Sequence, residues 1–284
     1  MGKHSAGTSS IGLPKGYRLL MYVVLTAVAV VYAAPIIWMV ISSLKNLRQF
    51  FAYPPVFFPT PLQVANYPEV FQLFPLGRYI LNTVLVAGVI TVAQLFSTST
   101  AGFAFAALEF RGKKIIFLVF LAGMMVPFTV VLIPLFSLIR QFGLVDTYLG
   151  LIVPFVFSPY GIFLMRQFFL GIPKDLYDSA HVDGCTDYRI YWSIYLPLSG
   201  PALATLTIQA FVFFYNGLLW PLIVINTELK KTVSVGLLSL IARDVTSPHL
   251  VMAGAAVSVI PMVIVFVSLQ KYFIKGIVMT GLKG

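Results

Sequence analysis

The sequence predicts an all-α, polytopic membrane protein with six transmembrane helices. Of its 284 residues, 59% are hydrophobic and only 10% are charged, so the chain lacks the polar surface that a soluble protein of this length needs. The apolar residues are also grouped in uncharged runs, and about 20 apolar residues are enough for one helix to cross a bilayer. Composition and run length together therefore indicate a protein that sits in membrane lipid.

The net charge of +10 does not indicate a nucleic-acid partner. The 19 Lys and Arg residues are spread thinly at the ends of apolar segments, and no cluster is longer than Arg111, Lys113 and Lys114. Basic residues in such places orient membrane helices, whereas a phosphate-binding surface would gather them. We expect no nucleic acid among the partners.

The first transmembrane helix is predicted at residues 19–44, after a short polar lead-in at residues 1–18. No charged residue falls within 19–44. A signal peptide has a similar basic start, but its apolar core is only about 7 to 15 residues long. We therefore expect a retained span. The following stretch, 45–75, is rich in Pro and aromatic residues and predicts a loop outside the membrane.

Five further uncharged runs predict the remaining spans. The run at 115–139 contains Pro127 and Pro134, which membrane helices tolerate when neighbouring groups satisfy the freed carbonyls. The run at 147–165 is the shortest. The predicted spans after the first are 79–108, 115–139, 147–165, 200–225 and 250–270, which together with 19–44 make up a transmembrane domain at 19–270 and leave a tail at 271–284.

Six spans place both termini on one side of the membrane. If the N-terminus is cytoplasmic, the cytoplasmic segments hold most of the 19 basic residues. The positive-inside rule therefore predicts that both termini, the tail and the connection between the fourth and fifth spans are cytoplasmic.

That connection is a polar island in an apolar chain. Four of the nine acidic residues fall within it, at Asp175, Asp178, Asp183 and Asp187. Such a concentration of charge predicts a surface that meets a partner outside the membrane, although a solvated loop with ordinary helix caps is the alternative.

Local signals in the island predict two short helices joined at a glycine. Pro173 suits the first position of a helix, which we expect over residues 174–182. Gly184 follows where a left-handed residue commonly ends a helix, and Thr186 can cap a second helix that closes at Leu196-Pro197. We call residues 171–197 the elbow and expect a compact knob that fits a groove of a partner.

The elbow carries a spacing that identifies a family. Gly184, Ile194, Leu196 and Pro197 keep a nine-residue gap after the glycine, and Ala180 and Asp183 precede it. This pattern resembles the signature E-A-A, three residues, G, nine residues, I-x-L-P of permease subunits of binding-protein-dependent ABC importers. Three positions depart from it: Asp178-Ser179 replaces Glu-Ala, and Cys185 replaces the usual Ala. Asp keeps the charge with one methylene less reach.

Other stretches are similar to the carbohydrate branch of that family, and in particular to the smaller permease subunit of maltose-type importers. They are Ser43-Leu44-Lys45, Asn66-Tyr67, Asn82-Thr83, Tyr215-Asn216 with Pro221, and the ending at residues 276–284. The resemblance implies the type I importer permease fold and location in a prokaryotic plasma (inner) membrane. It also implies a sugar or sugar-like solute.

The resemblance also implies partners and site residues. A second permease subunit, two ATPase subunits and an extracytoplasmic solute-binding protein would complete the transporter. The elbow would be the coupling helix that docks in a cleft of the ATPase, and the ATPase-coupling residues would be Asp178, Ala180, Asp183, Gly184, Ile194, Leu196 and Pro197.

We expect no enzymatic site, cofactor or metal in this chain. A phosphate-binding loop requires a Gly, four residues, then Gly-Lys-Ser/Thr, and Gly112-Lys113-Lys114 lacks both the first glycine and the hydroxyl. ATP and Mg²⁺ would therefore bind a partner subunit. His4, His181 and His249 are too scattered for a metal site.

Candidate pathway residues are the long amides Gln94, Gln209 and Asn216. Gln94 belongs to a stripe of small and polar residues on the second span, which comprises Thr83, Ala87, Thr91, Gln94, Thr98 and Gly102. Such faces line a cavity or pack against protein, because lipid cannot satisfy them. Hydrogen bonds between helices explain the amides equally well, and the resemblance implies that most solute contacts come from the second permease.

Two other functions remain open. An ABC permease for a non-sugar solute, such as an oligopeptide, a phosphate ester or an amino acid, would share the elbow. A six-span secondary transporter or channel would usually place ionisable residues at mid-membrane, and the predicted spans contain no Asp, Glu, Lys, Arg or His.

Overall fold

The computed structural model describes residues 15–243 and 247–281, and the predicted all-α class is confirmed because these residues form helices and no strand. Residues 1–14 of the predicted lead-in, and residues 282–284 of the predicted tail, lie outside the described residues.

Sixteen α-helices are found within the described residues. They are α1 Lys15–Ser43, α2 Leu47–Phe50, α3 Asn66–Leu73, α4 Leu76–Ala107, α5 Lys113–Met124, α6 Phe128–Gln141, α7 Tyr148–Ile152, α8 Pro159–Leu170, α9 Lys174–Val182, α10 Asp187–Ile190, α11 Leu196–Leu198, α12 Gly200–Tyr215, α13 Leu219–Val224, α14 Val233–Arg243, α15 Pro248–Ser258 and α16 Ile260–Gly281.

Three helical stretches are long and apolar enough to cross a membrane: Gly16–Ser43, Leu76–Ala107 and Pro248–Tyr272. Three further pairs reach that length only together, because each is bent. The bend is 101° between α5 and α6, 43° between Tyr148–Phe155 and α8, and 76° between Asp187–Leu198 and α12. By length and composition, the described residues therefore hold three spans, or six if each bent pair is one span.

The run predicted as one span at 115–139 is divided at Pro127. The N–H of Met125 donates to Ala122 O as α5 ends, and Pro127 is extended, with φ −60° and ψ 136°. Proline removes a helical hydrogen bond and clashes with the preceding turn, so α6 starts in a new direction. Pro134 lies inside α6 without ending it. At the other end of the chain, α16 continues to Gly281, so the residues predicted as a tail from 271 begin as helix.

The helices α4 and α8 run parallel and pack closely. At one end Tyr148, at the start of α7, donates its hydroxyl to Asn82 Oδ1 at 2.8 Å, and at the other Arg166 Nε donates to Phe105 O at 3.1 Å. Between them, a Cβ placed on Gly102 would lie 2.6 Å from Met165 Cβ. Small residues allow this approach of the two backbones, as is typical of helix pairs in membranes.

The connections at the end of the bundle opposite the elbow are tied together by Asp146. Its carboxylate accepts hydrogen bonds from the backbone N–H groups of Asn226 (3.0 Å) and Thr227 (2.9 Å), from the Thr227 hydroxyl (2.5 Å) and from Lys230 Nζ (3.2 Å). The bonds from Thr227 are the largest cause of a pKa for Asp146 well below its usual range. We call Asp146 and residues 226–230 the latch.

Two of the stretches that carried the family resemblance bind each other in the fold. The side-chain amide of Asn66 donates to the carbonyl oxygens of Ser43 and Lys45, both at 2.8 Å, and the hydroxyls of Ser43 and Tyr67 lie 2.8 Å apart. The last carbonyls of a helix have no partner within the helix, so Asn66 satisfies the end of α1. These residues position the first helix on α3.

Candidate functional site

The first half of the elbow forms as its sequence predicts. Helix α9 covers Lys174–Val182, and Gly184 is left-handed, with φ 79°. The N–H of Gly184 donates to His181 O and that of Cys185 donates to Ala180 O, both at 3.0 Å. This pair of bonds is the Schellman arrangement, which satisfies the last carbonyls of a helix and favours glycine.

The second half begins as predicted but continues beyond a simple helix. The Thr186 hydroxyl accepts the N–H of Arg189 at the start of α10. The chain then widens into a π turn at Tyr191–Tyr195, where the N–H of Leu196 donates to Tyr191 O. Pro197 cannot donate to the carbonyl four residues before it, and a π turn is a common way to accommodate such a break.

The predicted coupling residues fall into two groups, and the first is buried. Ala180 is 8% exposed and packs in a cluster with Met165 and Phe169 of α8, and Ile194 and Leu196 pack partly buried against the same cluster. These three side chains fix the elbow to the end of the α4–α8 pair. Their burial predicts that they anchor the elbow to α8 and do not contact a partner.

The second group is exposed on the outer surface of the elbow. Asp178, Asp183, Gly184 and Pro197 are all solvent-exposed, and a Cβ placed on Gly184 would meet nothing within 4 Å. Two apolar neighbours that were not predicted to meet a partner, Val182 (87% exposed) and Tyr188 (72% exposed), also lie on this surface. The only sequence signal for them was their position among the four acidic residues. The exposed surface of the elbow thus combines negative charge with apolar side chains.

One hydrogen bond joins the two helices of the elbow. The Tyr177 hydroxyl donates to Asp187 Oδ1 at 2.5 Å, and the Tyr177 ring stacks on His181 with centroids 6.0 Å apart. The bond to the carboxylate, helped by burial, raises the pKa of Tyr177 to about 12. The phenol therefore stays protonated at physiological pH and can hold α9 against α10.

Two of the candidate pathway amides meet in one cavity. Gln94 and Gln209 line a space of about 190 Å³ together with Ser158 and Tyr160. Gln94 Nε2 donates to Phe155 O at 2.7 Å, so its amide nitrogen already bonds another segment, whereas Gln209 is exposed. Gln94 therefore fulfils the alternative of a bond between helical segments, which leaves its oxygen and its second N–H for a further partner.

Asn216 lines a larger cavity of about 650 Å³. Its Nδ2 donates to Val212 O at 2.9 Å and lies 3.4 Å from Met262 Sδ. The walls are largely apolar, and the two cavities share Phe213 and Phe214. Thr232, which sequence reasoning missed, is buried at the wall, and its hydroxyl has no partner among the described residues. A buried unpaired hydroxyl leaves no sequence signal.

The rest of the polar stripe on α4 packs against protein, except that Thr83 also lines the larger cavity. Thr83, Thr91 and Thr98 each donate a hydroxyl to the carbonyl four residues earlier. A Cβ placed on Gly161 would lie 2.7 Å from Thr98 Cγ2. Helix packing, one of the two explanations that the sequence allowed, accounts for these positions. Among the described residues, no three His, Cys, Asp or Glu side chains group as metal ligands, and His4 lies outside that range.

Known proteins resemble this chain over most of its length. Residues 98–279 match the family of binding-protein-dependent transport system inner membrane components. The chain is 36% identical over 230 residues to the arabinooligosaccharides transport system permease protein AraQ of Halalkalibacterium halodurans, with 81% of this chain and 82% of that protein covered.

A second relative and a solved structure extend the comparison. The chain is 30% identical over 274 residues to the sn-glycerol-3-phosphate transport system permease protein UgpE of Brucella abortus, which covers 93% and 96% of the two chains. It also resembles a chain in the crystal structure of a bacterial ABC transporter involved in the import of the acidic polysaccharide alginate. The TM-score is 0.80 at 25% identity, with 92% and 99% covered.

Proposed function

This chain belongs to the family of binding-protein-dependent transport system inner membrane components, and from that premise we propose that it is a permease subunit of an ATP-driven importer for a sugar or sugar-like solute. A second permease subunit, two ATPase subunits and an extracytoplasmic solute-binding protein would complete the transporter. ATP and Mg²⁺ would bind the ATPase subunits. Its relatives are transport permeases rather than enzymes.

The division of the elbow into a buried base and an exposed tip carries this proposal. Ala180 fixes the base to the α4–α8 pair, while Val182, Asp183 and Gly184 stand in solvent. A partner that grips the tip would therefore move the helices through the base. Closure of the ATPase subunits on ATP would reach the membrane by this route, and the bundle would alternate between inward and outward access.

The elbow is tested by Gly184→Trp in the assembled transporter. Gly143 offers a matched control, because it is also left-handed (φ 68°), also has nothing within 4 Å of its Cβ position, and lies at the latch end. Each substitution carries a similar backbone cost of about 1 to 2 kcal/mol. Only Gly184→Trp also places a bulky side chain on the docking surface.

We expect Gly184→Trp to insert and fold but to lose co-purification with the ATPase and at least tenfold of transport, while Gly143→Trp keeps both. Gly184→Asn, which tolerates a left-handed backbone, should also keep most docking. Wild-type transport by Gly184→Trp would refute the coupling role of the elbow. Equal losses in Gly184→Trp and Gly143→Trp would show a folding defect instead.

For the solute we propose a pathway past the two cavities, with Gln209 and Asn216 as its polar contacts and the oxygen of Gln94 as a third. The residues that line both cavities are uncharged. Neutral amides and hydroxyls pair with sugar hydroxyls, whereas a phosphate group calls for Arg or Lys. The cavities thus favour a sugar over a phosphate ester. A phosphate ester is the second candidate, because the relative UgpE is named as an sn-glycerol-3-phosphate transport permease.

Replacement of the three amides by Leu tests the pathway. We expect Gln209→Leu and Asn216→Leu to reduce solute-stimulated ATPase activity of the transporter more than Gln141→Leu, an exposed amide at the end of α6. Unchanged activity in Gln94→Leu, Gln209→Leu and Asn216→Leu would remove the assignment. Binding of candidate sugars and of glycerol phosphate to the partner solute-binding protein then distinguishes the two solute classes.

We also propose that both termini and the elbow are cytoplasmic, as the distribution of basic residues predicts. Cys185 is the single cysteine of the chain and lies partly exposed in the elbow. A membrane-impermeant maleimide should therefore label it in inside-out vesicles and leave it unlabelled in intact cells. The reverse result would invert the topology.

A further inference from the structure

A basic pocket lies beside the elbow, where the connection between α4 and α5 meets α8. Its volume is about 780 Å³. Three cations and one acidic residue face it, and its other walls are apolar or backbone. The lining residues are Glu109, Phe110, Gly112, Lys113, Lys114, Ile115, Phe117, Leu118 and Arg166.

Arg166 is held in place by one of its hydrogen-bond donors, while the others are unused. The guanidinium lies over the Phe117 ring, 4.4 Å from the centroid, and only its Nε donates, to Phe105 O. Within the residues that the structure describes, its two terminal NH₂ groups have no acceptor. A guanidinium fixed by a ring and by one backbone bond presents a planar fork that matches two phosphate oxygens.

The two lysines place further positive charge at the same pocket. Lys113 Nζ donates to Leu108 O at 2.6 Å and to Glu109 Oε1 at 3.3 Å, so Glu109 neutralises this lysine in part. Lys114 is exposed and makes no hydrogen bond or ion pair with the described residues. Helix α5 begins at this point behind the left-handed Gly112, and no side chain caps its first N–H groups. Three cations against one carboxylate give the pocket a net positive charge.

An apolar surface continues from the pocket along α5. Ile115 is 69% exposed, Leu118 61% and Val119 66%. Within a membrane protein such a face lies against acyl chains, so the pocket is located where a headgroup meets the hydrocarbon. A soluble phosphate would use the cations alone, while a phospholipid would use the cations and this apolar face.

We propose that this pocket binds the phosphate of an anionic phospholipid, with Arg166 and Lys114 as its main ligands and one acyl chain along Ile115 and Leu118. Basic pockets between membrane helices are known to hold acidic headgroups. Met165 and Phe169 lie on either side of Arg166 in α8, and both pack against Ala180 of the elbow. The bound lipid would therefore stabilise the end of α8 to which the elbow is fixed. This site is separate from the solute pathway and from the docking tip.

The test is native mass spectrometry of the full chain in detergent, titrated with phosphatidylglycerol or with phosphatidylcholine of the same acyl chains. The variants are Arg166→Gln and Lys114→Gln, with Arg140→Gln, an exposed arginine near the end of α6, as the control. Each cation near a headgroup contributes on the order of 1 kcal/mol, which is about fivefold in affinity. Lys114→Gln removes no hydrogen bond or ion pair among the described residues, so its effect does not depend on folding.

We expect phosphatidylglycerol to bind wild type more tightly than phosphatidylcholine, and about fivefold more tightly than it binds Lys114→Gln, with Arg140→Gln unchanged. Equal binding of the two lipids, or equal loss in all three variants, would overturn the proposal. Glycerol phosphate serves as the headgroup without acyl chains. If it competes as well as the lipid does, the site takes soluble phosphates and the lipid assignment is wrong.

Discussion

Gly102→Ala should weaken the contact between α4 and α8 that supports the elbow. The added Cβ would lie 2.6 Å from Met165 Cβ and 3.0 Å from the backbone N of Arg166. Neither atom is the end of a flexible side chain, so the two helices must separate. Overpacking of this kind costs about 1 to 3 kcal/mol, and contact with backbone atoms puts this site at the upper end.

The same helix supplies the control. A Cβ placed on Gly88 of α4 would meet nothing within 4 Å, so Gly88→Ala changes only helix propensity, which favours Ala by about 1 kcal/mol at most. Gly102→Ala receives the same gain, and its net effect is therefore a loss of about 2 kcal/mol. The two Gly→Ala substitutions in one helix should have opposite signs.

Reversible unfolding of the full chain in mixed micelles, followed by circular dichroism, measures both effects. The free energies of unfolding of Gly88→Ala and Gly102→Ala should differ by about 2 to 3 kcal/mol, and transport by the assembled importer should fall only for Gly102→Ala. Equal stability of the two variants would refute the close packing of α4 on α8.

Further expectations concern the latch and the elbow. Asp146 has a lowered pKa, so its stabilising effect is complete above about pH 4 and is lost as the pH falls through the lowered value. The melting temperature of wild type should therefore fall more steeply between about pH 5 and pH 2.5 than that of Asp146→Asn, and parallel curves would contradict the latch. Tyr177 has a pKa of about 12, so its contribution is present below about pH 10 and lost as the pH rises through 12. Subtraction of the tyrosinate titration of Tyr177→Phe from that of wild type should leave one group with a midpoint near 12, and a midpoint near 10 would rule out the Asp187 bond.

The elbow could be predicted from the sequence because local signals determine it. The bounds of α9, the left-handed Gly184 and the Thr186 cap all depend on residues within a few positions of one another. The ion pair of Glu109 with Lys113 is also local, because the two residues lie four positions apart. Interactions of this range can be derived from residue type and spacing alone.

Features that depend on distant contacts could not be derived in this way. Pro127 and Pro134 are alike in sequence, yet only Pro127 breaks the helix, because neighbouring elements decide which proline is accommodated. The latch joins Asp146 to residues 80 or more positions away. The role of Gln94 could not be predicted either, because the sequence of a membrane helix does not show whether an amide binds a backbone carbonyl or a solute.

The parallel pair of α4 and α8 has a consequence for the size of the motion that the elbow can produce. Contacts with α7 at one end and α8 at the other hold α4 from Asn82 to Phe105, a length of about 35 Å at 1.5 Å per residue. A rod of that length turns a tilt of about 5° at one end into a displacement of about 3 Å at the other. Because Asn82 donates to the carbonyls of Leu229 in the latch and of the adjoining Lys231, this displacement would carry the far connections with it. In the proposed transporter, a small rotation in the ATPase would thus become a displacement of about 3 Å at the opposite surface.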